Sequence, residues 1–292
     1  MSAFNMKTVT HAVVNFCMFA VSVALAWKMD EIMKHVYPNR LDDAVFDIQD
    51  PNILYSYKNS ISWSNLLDAV VFITIPILVI GEGSYFVTGK RSLLSTIYAF
   101  CQMLGTHLFV SCWLRISVVV PKAMVVKPRP HFLETCNPDL TGIPPDQRII
   151  PFDRCTNTFK KMADASDSWP SGHAALAFFA AVYLMIYIKA RMPRKTPVLL
   201  TALIQVICIS AAYIVCMTRI ADNRHFFDDV LMGVVIGVVL GVWAGHLSCL
   251  FDYDDVSSDT KTKIANGASI HSNTGAMTTI PSKQCNGAVK MD

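Results

Sequence analysis

Residues 227–250, FDDVLMGVVIGVVLGVWAGHLSCL, decide the fold. From Val230 to Leu250 the stretch contains no Asp, Glu, Lys or Arg. A helix rises 1.5 Å per residue, so about 20 apolar residues cross a hydrocarbon core of about 30 Å. Working back along the chain, five more stretches of that character lie near 8–27, 65–88, 94–119, 172–190 and 197–217. With 53% hydrophobic and only 16% charged residues, the composition does not fit a water-soluble domain. The expectation is an all-α integral membrane protein, a bundle of six transmembrane helices over residues 1–250. Residues 251–292, rich in Asp, Ser, Thr, Asn, Gly and Lys, read as a disordered cytosolic tail.

In that deciding stretch, Gly233, Gly237, Gly241 and Gly245 recur every four residues. They form a smooth stripe that lets another helix approach closely. Packing against the fourth segment is the expected use, and a homo-oligomer interface is the alternative. Basic residues set the orientation: Lys90 and Arg91 follow the second segment, and Lys189, Arg191, Arg194 and Lys195 follow the fourth. Short basic loops stay in the cytosol, so both termini should be cytosolic. Loops 28–64 and 120–171 and the 218–226 turn should then share the extracytosolic face, of the plasma membrane or an internal one. The net charge of +3 is split between two compartments, and nucleic acid is not an expected partner. Cys136 and Cys155 share the long extracytosolic loop, where an oxidising compartment permits a disulfide. No Cys-x-x-Cys or His-Glu-x-x-His pattern is present, so nothing here reads as a zinc site.

Three polar clusters interrupt this apolar background at helix ends on the extracytosolic face. Just beyond the third segment stand Lys122 and Arg129, the latter between Pro128 and Pro130. A stiffly held guanidinium grips two phosphate oxygens, and a lysine adds a mobile charge. Pro170, Ser171, Gly172 and His173 open the fourth segment. There, free N–H groups and the helix dipole favour an anion, and an imidazole can pass a proton to a leaving alkoxide. Arg219, His225 and Asp229 flank the last turn. An i,i+4 pair shares a helix face, so Asp229 is expected to accept a hydrogen bond from His225 and leave its other nitrogen free to attack phosphorus. Asp228 points elsewhere and reads as interfacial. Singly, these clusters also read as headgroup-facing cations, a Ser-Gly helix start and a surface salt bridge. Jointly, on one face, they argue for a single phosphate site.

The pattern resembles the lipid phosphate phosphatases of the phosphatidic-acid phosphatase type 2 superfamily, with their Lys-x6-Arg-Pro, Pro-Ser-Gly-His and Ser-Arg-x5-His-x3-Asp elements. Lys122 to Pro130, Pro170 to His173 and Thr218 to Asp229 match these, with Thr218 in place of Ser. The resemblance covers roughly residues 60 to 250. It implies metal-independent hydrolysis of phosphatidate, lysophosphatidate, ceramide 1-phosphate or sphingosine 1-phosphate drawn from the bilayer. His225 would then be the nucleophile that forms a phosphohistidine, Asp229 its partner and His173 the acid. Lys122, Arg129, Ser171, Gly172 and Arg219 would bind phosphate. A non-catalytic membrane scaffold and a transferase of phosphorylated headgroups are the alternatives. Retention of both histidines argues against the first, and the Lys-x6-Arg-Pro element against the second.

Overall fold

The computed structural model describes residues 6–248 apart from 39, 43 and 194, with side chains from Val13 onward. The 251–292 tail lies outside the described residues. The elements in chain order are α1 (Met6–Val36), β1 (Val45–Asp47), α2 (Trp63–Val87), α3 (Leu93–Met124), α4 (Phe132–Cys136), β2 (Ile149–Pro151), α5 (Phe159–Ala165), α6 (Gly172–Arg191), α7 (Val198–Ala221) and α8 (Phe227–Leu247). Six of them, α1, α2, α3, α6, α7 and α8, are long and apolar enough to cross a membrane. Ser62, Ser92 and Ser171 cap α2, α3 and α6, each side chain accepting a backbone N–H of the first turn.

Two helices outrun their apolar stretches. Expected to stop near 27, α1 continues to Val36, because polar partners support its last turns. Lys28 and Glu31 pair at 2.7 Å, and Arg115 of α3 bonds the Ala26 carbonyl and the Asp30 carboxylate. Expected to end at 119, α3 runs through Pro121 to Met124, with the Val125 N–H closing on the Pro121 carbonyl at 2.8 Å. Lys122 therefore sits in the last turn of α3 and not beyond it.

At the centre lies α6, whose buried face includes Ala174, Ala175, Ala177, Ala180 and Ala181. The glycine stripe of α8 is spent on this helix. A Cβ on Gly233 would stand 2.4 Å from the Ser171 carbonyl oxygen, one on Gly237 2.4 Å from that of Ala175, and one on Gly241 2.8 Å from Val182 Cβ. Two backbones this close allow dispersion contacts that larger residues would prevent. Gly237→Val is thus expected to force α6 and α8 apart, since the obstacles are backbone atoms. Overpacking costs about 1–3 kcal/mol or more, and thermal unfolding in detergent should show it as a drop of about 2–4 °C per kcal/mol. Gly83→Ala, with nothing within 4 Å of the added carbon, should unfold like the wild type.

The end of the bundle with the α2–α3 and α6–α7 loops is tied by a group that the sequence reading passed over. Glu82 of α2 is fully buried and accepts from Arg91 at 2.8 Å, Arg191 at 2.7 Å and Tyr187 at 3.1 Å. Burying a carboxylate is costly unless it is paired, and here two guanidinium groups and a phenol satisfy it.

The opposite end carries a small cap. Strands β1 and β2 pair antiparallel in the register Val45↔Pro151, Phe46↔Ile150 and Asp47↔Ile149, a sheet that the all-helical expectation did not include. Phe46, Phe132 and Phe152 pack with ring centroids 4.9 to 5.4 Å apart, and Cys136 is disulfide-bonded to Cys155. A short cap has little core of its own, so the cross-link limits the freedom of its unfolded chain.

Candidate active site

All three polar clusters meet beneath this cap, at one end of the bundle. After α3 the chain runs extended beside residues 165–168: Arg129 N–H bonds the Ala165 carbonyl at 2.8 Å, Lys127 N–H that of Ser166 at 3.0 Å, and Ser168 N–H that of Lys127 at 3.1 Å. This short ladder brings the first cluster to the second. Ser171 N–H then donates to the Asp229 carbonyl at 2.9 Å, which joins the start of α6 to the start of α8. In the turn before α8, Asn223 adopts φ 55°, a left-handed conformation that Asn tolerates. The chain can then fold back so that Arg224 and His225 N–H both reach the Arg219 carbonyl, at 3.0 and 3.3 Å.

Each cation is fixed by short-range partners. Lys122 Nζ donates to the Asp167 carbonyl. Buried Arg129 contacts Asp164 at 3.2 Å and the Asp167 carbonyl at 3.3 Å, while its Nε has no partner. Arg219, fully buried, spreads its guanidinium over Asp222 at 3.2 Å, Asn59 at 3.4 Å and the Thr218 hydroxyl at 3.2 and 3.3 Å. The Thr218 hydroxyl thus holds Arg219 directly.

The two histidines are poised differently. His173 stacks edge-on against Trp63 at 5.2 Å, and its Nε2 is buried without a hydrogen-bond partner. A buried, unpaired ring nitrogen is uncommon and marks a place where a ligand atom can bond. His225 is 4% exposed. Burial pushes its imidazole well below its ordinary range; Asp229 nearby opposes this, and the charges of Arg129 and Lys122 reinforce it. That direction favours the uncharged ring, the state in which an imidazole nitrogen is nucleophilic.

One expected contact is replaced. His225 Nδ1 bonds the Ser168 backbone carbonyl at 2.7 Å, and the nearer Asp229 oxygen lies 3.8 Å away, too far for a hydrogen bond. The Asp229 carboxylate is taken by other donors: the Ser168 hydroxyl at 2.5 Å, Phe226 N–H at 2.9 Å and Lys127 Nζ at 2.7 Å. Lys127 also reaches Asp228 at 2.5 Å, so Asp228 takes part in this network. These two hydrogen bonds lift the Lys127 ammonium above the ordinary lysine range although burial works against its charge.

Ser171 and Gly172 stand where the sequence put them, at the cap and first residue of α6. Gly172 faces Val118 and Trp63, which a Cβ would meet at 3.4 and 3.6 Å. The sequence reading missed Ser168, Lys127, Asp222 and Asn59. A faint signal existed for the first three, each lying two or three residues from a matched motif position. For Asn59 there was none, because only the fold carries residue 59 to residue 219. A cleft of about 490 Å³ lined by Phe46, Ile53, Lys127, Pro128, Phe226 and Asp228, among others, opens at the rim of the site without touching His173 or His225.

Comparison with known proteins follows the same residues. The sequence matches the family described as the PAP2 superfamily over residues 96–248, which spans α3 to the end of α8. It is 26% identical over 197 residues to phospholipid phosphatase 2 of Rattus norvegicus, covering 65% of this chain and 71% of that one. Against phospholipid phosphatase 1 of the same species it is 27% identical over 199 residues, covering 66% and 71%. The Bos taurus phospholipid phosphatase 2 shares 26% over 196 residues, covering 65% and 68%. No solved structure matches the chain.

Proposed function

This chain belongs to the PAP2 superfamily and is a membrane-embedded phosphatase of lipid phosphates, and from that premise we propose that it cleaves phosphate monoesters by way of a phosphohistidine on His225. Phosphatidate, lysophosphatidate, ceramide 1-phosphate and sphingosine 1-phosphate are the proposed substrates. The observation that carries the reading is the buried His225 ring with Nδ1 already engaged by the Ser168 carbonyl, which leaves Nε2 as the free lone pair.

Nε2 attacks phosphorus, and the bond from phosphorus to the lipid oxygen breaks as His173 gives that oxygen a proton. A phosphate dianion held by Lys122, Arg129 and Arg219 brings the negative charge that keeps the proton on His173 until transfer. Water then attacks the phosphohistidine, His173 takes its proton, and inorganic phosphate and free His225 are regenerated. The three cations neutralise the charge that builds on the equatorial oxygens. Lys122, Arg129 and Arg219 are cationic donors, and such a set suits an anion.

The site is proposed to face the extracellular or lumenal side, with both termini cytosolic. The Cys136–Cys155 bond supports this, because it lies in the cap at the same end as the site and disulfides persist in oxidising compartments. Phosphate release from phosphatidate and lysophosphatidate in detergent micelles should proceed at an unchanged rate in excess EDTA. Loss of turnover on chelation, restored by a divalent cation, would contradict the metal-independent reading.

A further inference from the structure

Ser168 stands between His225 and Asp229 and bonds both. Its carbonyl accepts from His225 Nδ1 at 2.7 Å, and its hydroxyl, fully buried, donates to Asp229 Oδ2 at 2.5 Å. Left to itself, an i,i+4 His/Asp pair would close into a direct, charge-assisted hydrogen bond. Here Oδ2 is held at 3.8 Å by Ser168 and Phe226 N–H, while Lys127 holds Oδ1.

We propose that Ser168 is a positioning residue: its hydroxyl keeps the Asp229 carboxylate off the His225 ring, so that the imidazole donates to a neutral carbonyl and stays an unprotonated nucleophile. The carboxylate remains near enough to stabilise the positive charge that the ring acquires on phosphorylation. This rests on His225 being the nucleophile proposed above.

The charged groups around the ring come from every packed element. They are Lys122 of α3, Lys127 and Arg129 after it, Asp164 and Asp167 near the end of α5, His173 of α6, Arg219 and Arg224 at the end of α7, and Asp229 of α8. The nearest cations disfavour a protonated ring, and Asp229 is the carboxylate placed to favour it. Without the Ser168 hydroxyl, Oδ2 needs to move only about 1 Å to reach ordinary hydrogen-bond distance. A carboxylate in direct contact makes an imidazole more basic by about one pH unit or more. The nucleophile works unprotonated, so activity falls as pH drops through its titration. A more basic ring moves that fall to higher pH.

The test is kcat/KM for lysophosphatidate against pH, with full-length wild type, Ser168→Ala and Ser168→Thr; substrate ionisation is common to all three. Ser168→Ala is expected to move the acid limb up by about one pH unit and to lower kcat near pH 7 by about 10- to 100-fold, as loss of a supporting partner does elsewhere. Ser168→Thr keeps the hydroxyl and should keep the limb in place. Equal loss at every pH with an unmoved limb would make Ser168 merely structural and overturn the inference, as would a shift in Ser168→Thr as large as in Ser168→Ala. If Ser168→Ala is too inactive to titrate, Ser168→Cys, whose thiol is a weak donor, decides on the same criterion. An active wild type with unmoved limbs refutes this inference alone. A wild type with no phosphatase activity refutes the nucleophile assignment beneath it.

Discussion

His225→Ala abolishes phosphate release while the protein remains inserted and folded: that is the largest effect expected. In the proposed mechanism the ring supplies the bond-forming atom, and removing a member of a nucleophile–partner set costs about ten-thousandfold to a millionfold in kcat. Folding should survive, because the ring's hydrogen bond runs only to the Ser168 carbonyl. The chain turn there is held by backbone bonds to the Arg219 carbonyl, and the carboxylate of Asp229 keeps its donors Lys127, Ser168 and Phe226. The measurement is turnover of phosphatidate in micelles, paired with thermal unfolding and with acid-quench trapping of the phosphorylated enzyme. Phosphate release at the wild-type rate, or a trapped phosphoryl group in the variant, would remove His225 from the role of nucleophile.

Arg219→Lys is expected to lower kcat/KM by about 100- to 1000-fold, the range seen when one charge-stabilising donor is lost. The guanidinium of Arg219 is fully buried and spans Thr218, Asn59 and Asp222 at once. An ammonium is a point charge with no planar fork, so it cannot hold those partners and offer two parallel donors to a phosphate. The loss falls on recognition more than on stability, because Asn59 is exposed and Asp222 keeps two hydrogen bonds from Ser60 at 2.7 Å. Separate kcat and KM values, measured with the unfolding temperature, distinguish lost recognition from lost stability. Unimpaired activity would make Arg219 a structural residue.

Much of this protein is legible in one dimension because the bilayer is a severe solvent. A spanning segment must satisfy its own backbone and shed its charges, so runs such as Val230–Leu250 announce themselves and only their ends are misjudged. Those ends depend on partners far along the chain, as with Arg115 extending α1, or on a local closure that tolerates a proline, as with Pro121 in α3. The cap escaped notice for a related reason. Three-residue strands such as Val45–Asp47 are too short for an alternating pattern to register, and their pairing joins residues about a hundred apart.

The sequence by itself determined the six helices, the glycine stripe and the residue types of the proposed phosphate site, because each follows from local spacing: 3.6 residues per turn, a glycine at every fourth residue, and motif positions at helix ends. Only the tertiary structure decided which atom touches which. Whether His225 donates to Asp229 or to the Ser168 carbonyl turns on about 1 Å between 2.7 and 3.8 Å. That distance is settled by competition among donors from three separate stretches of chain, around Lys127, Ser168 and His225–Phe226, for one carboxylate, and hydrogen bonding falls off too steeply with distance and angle for sequence spacing to resolve the outcome.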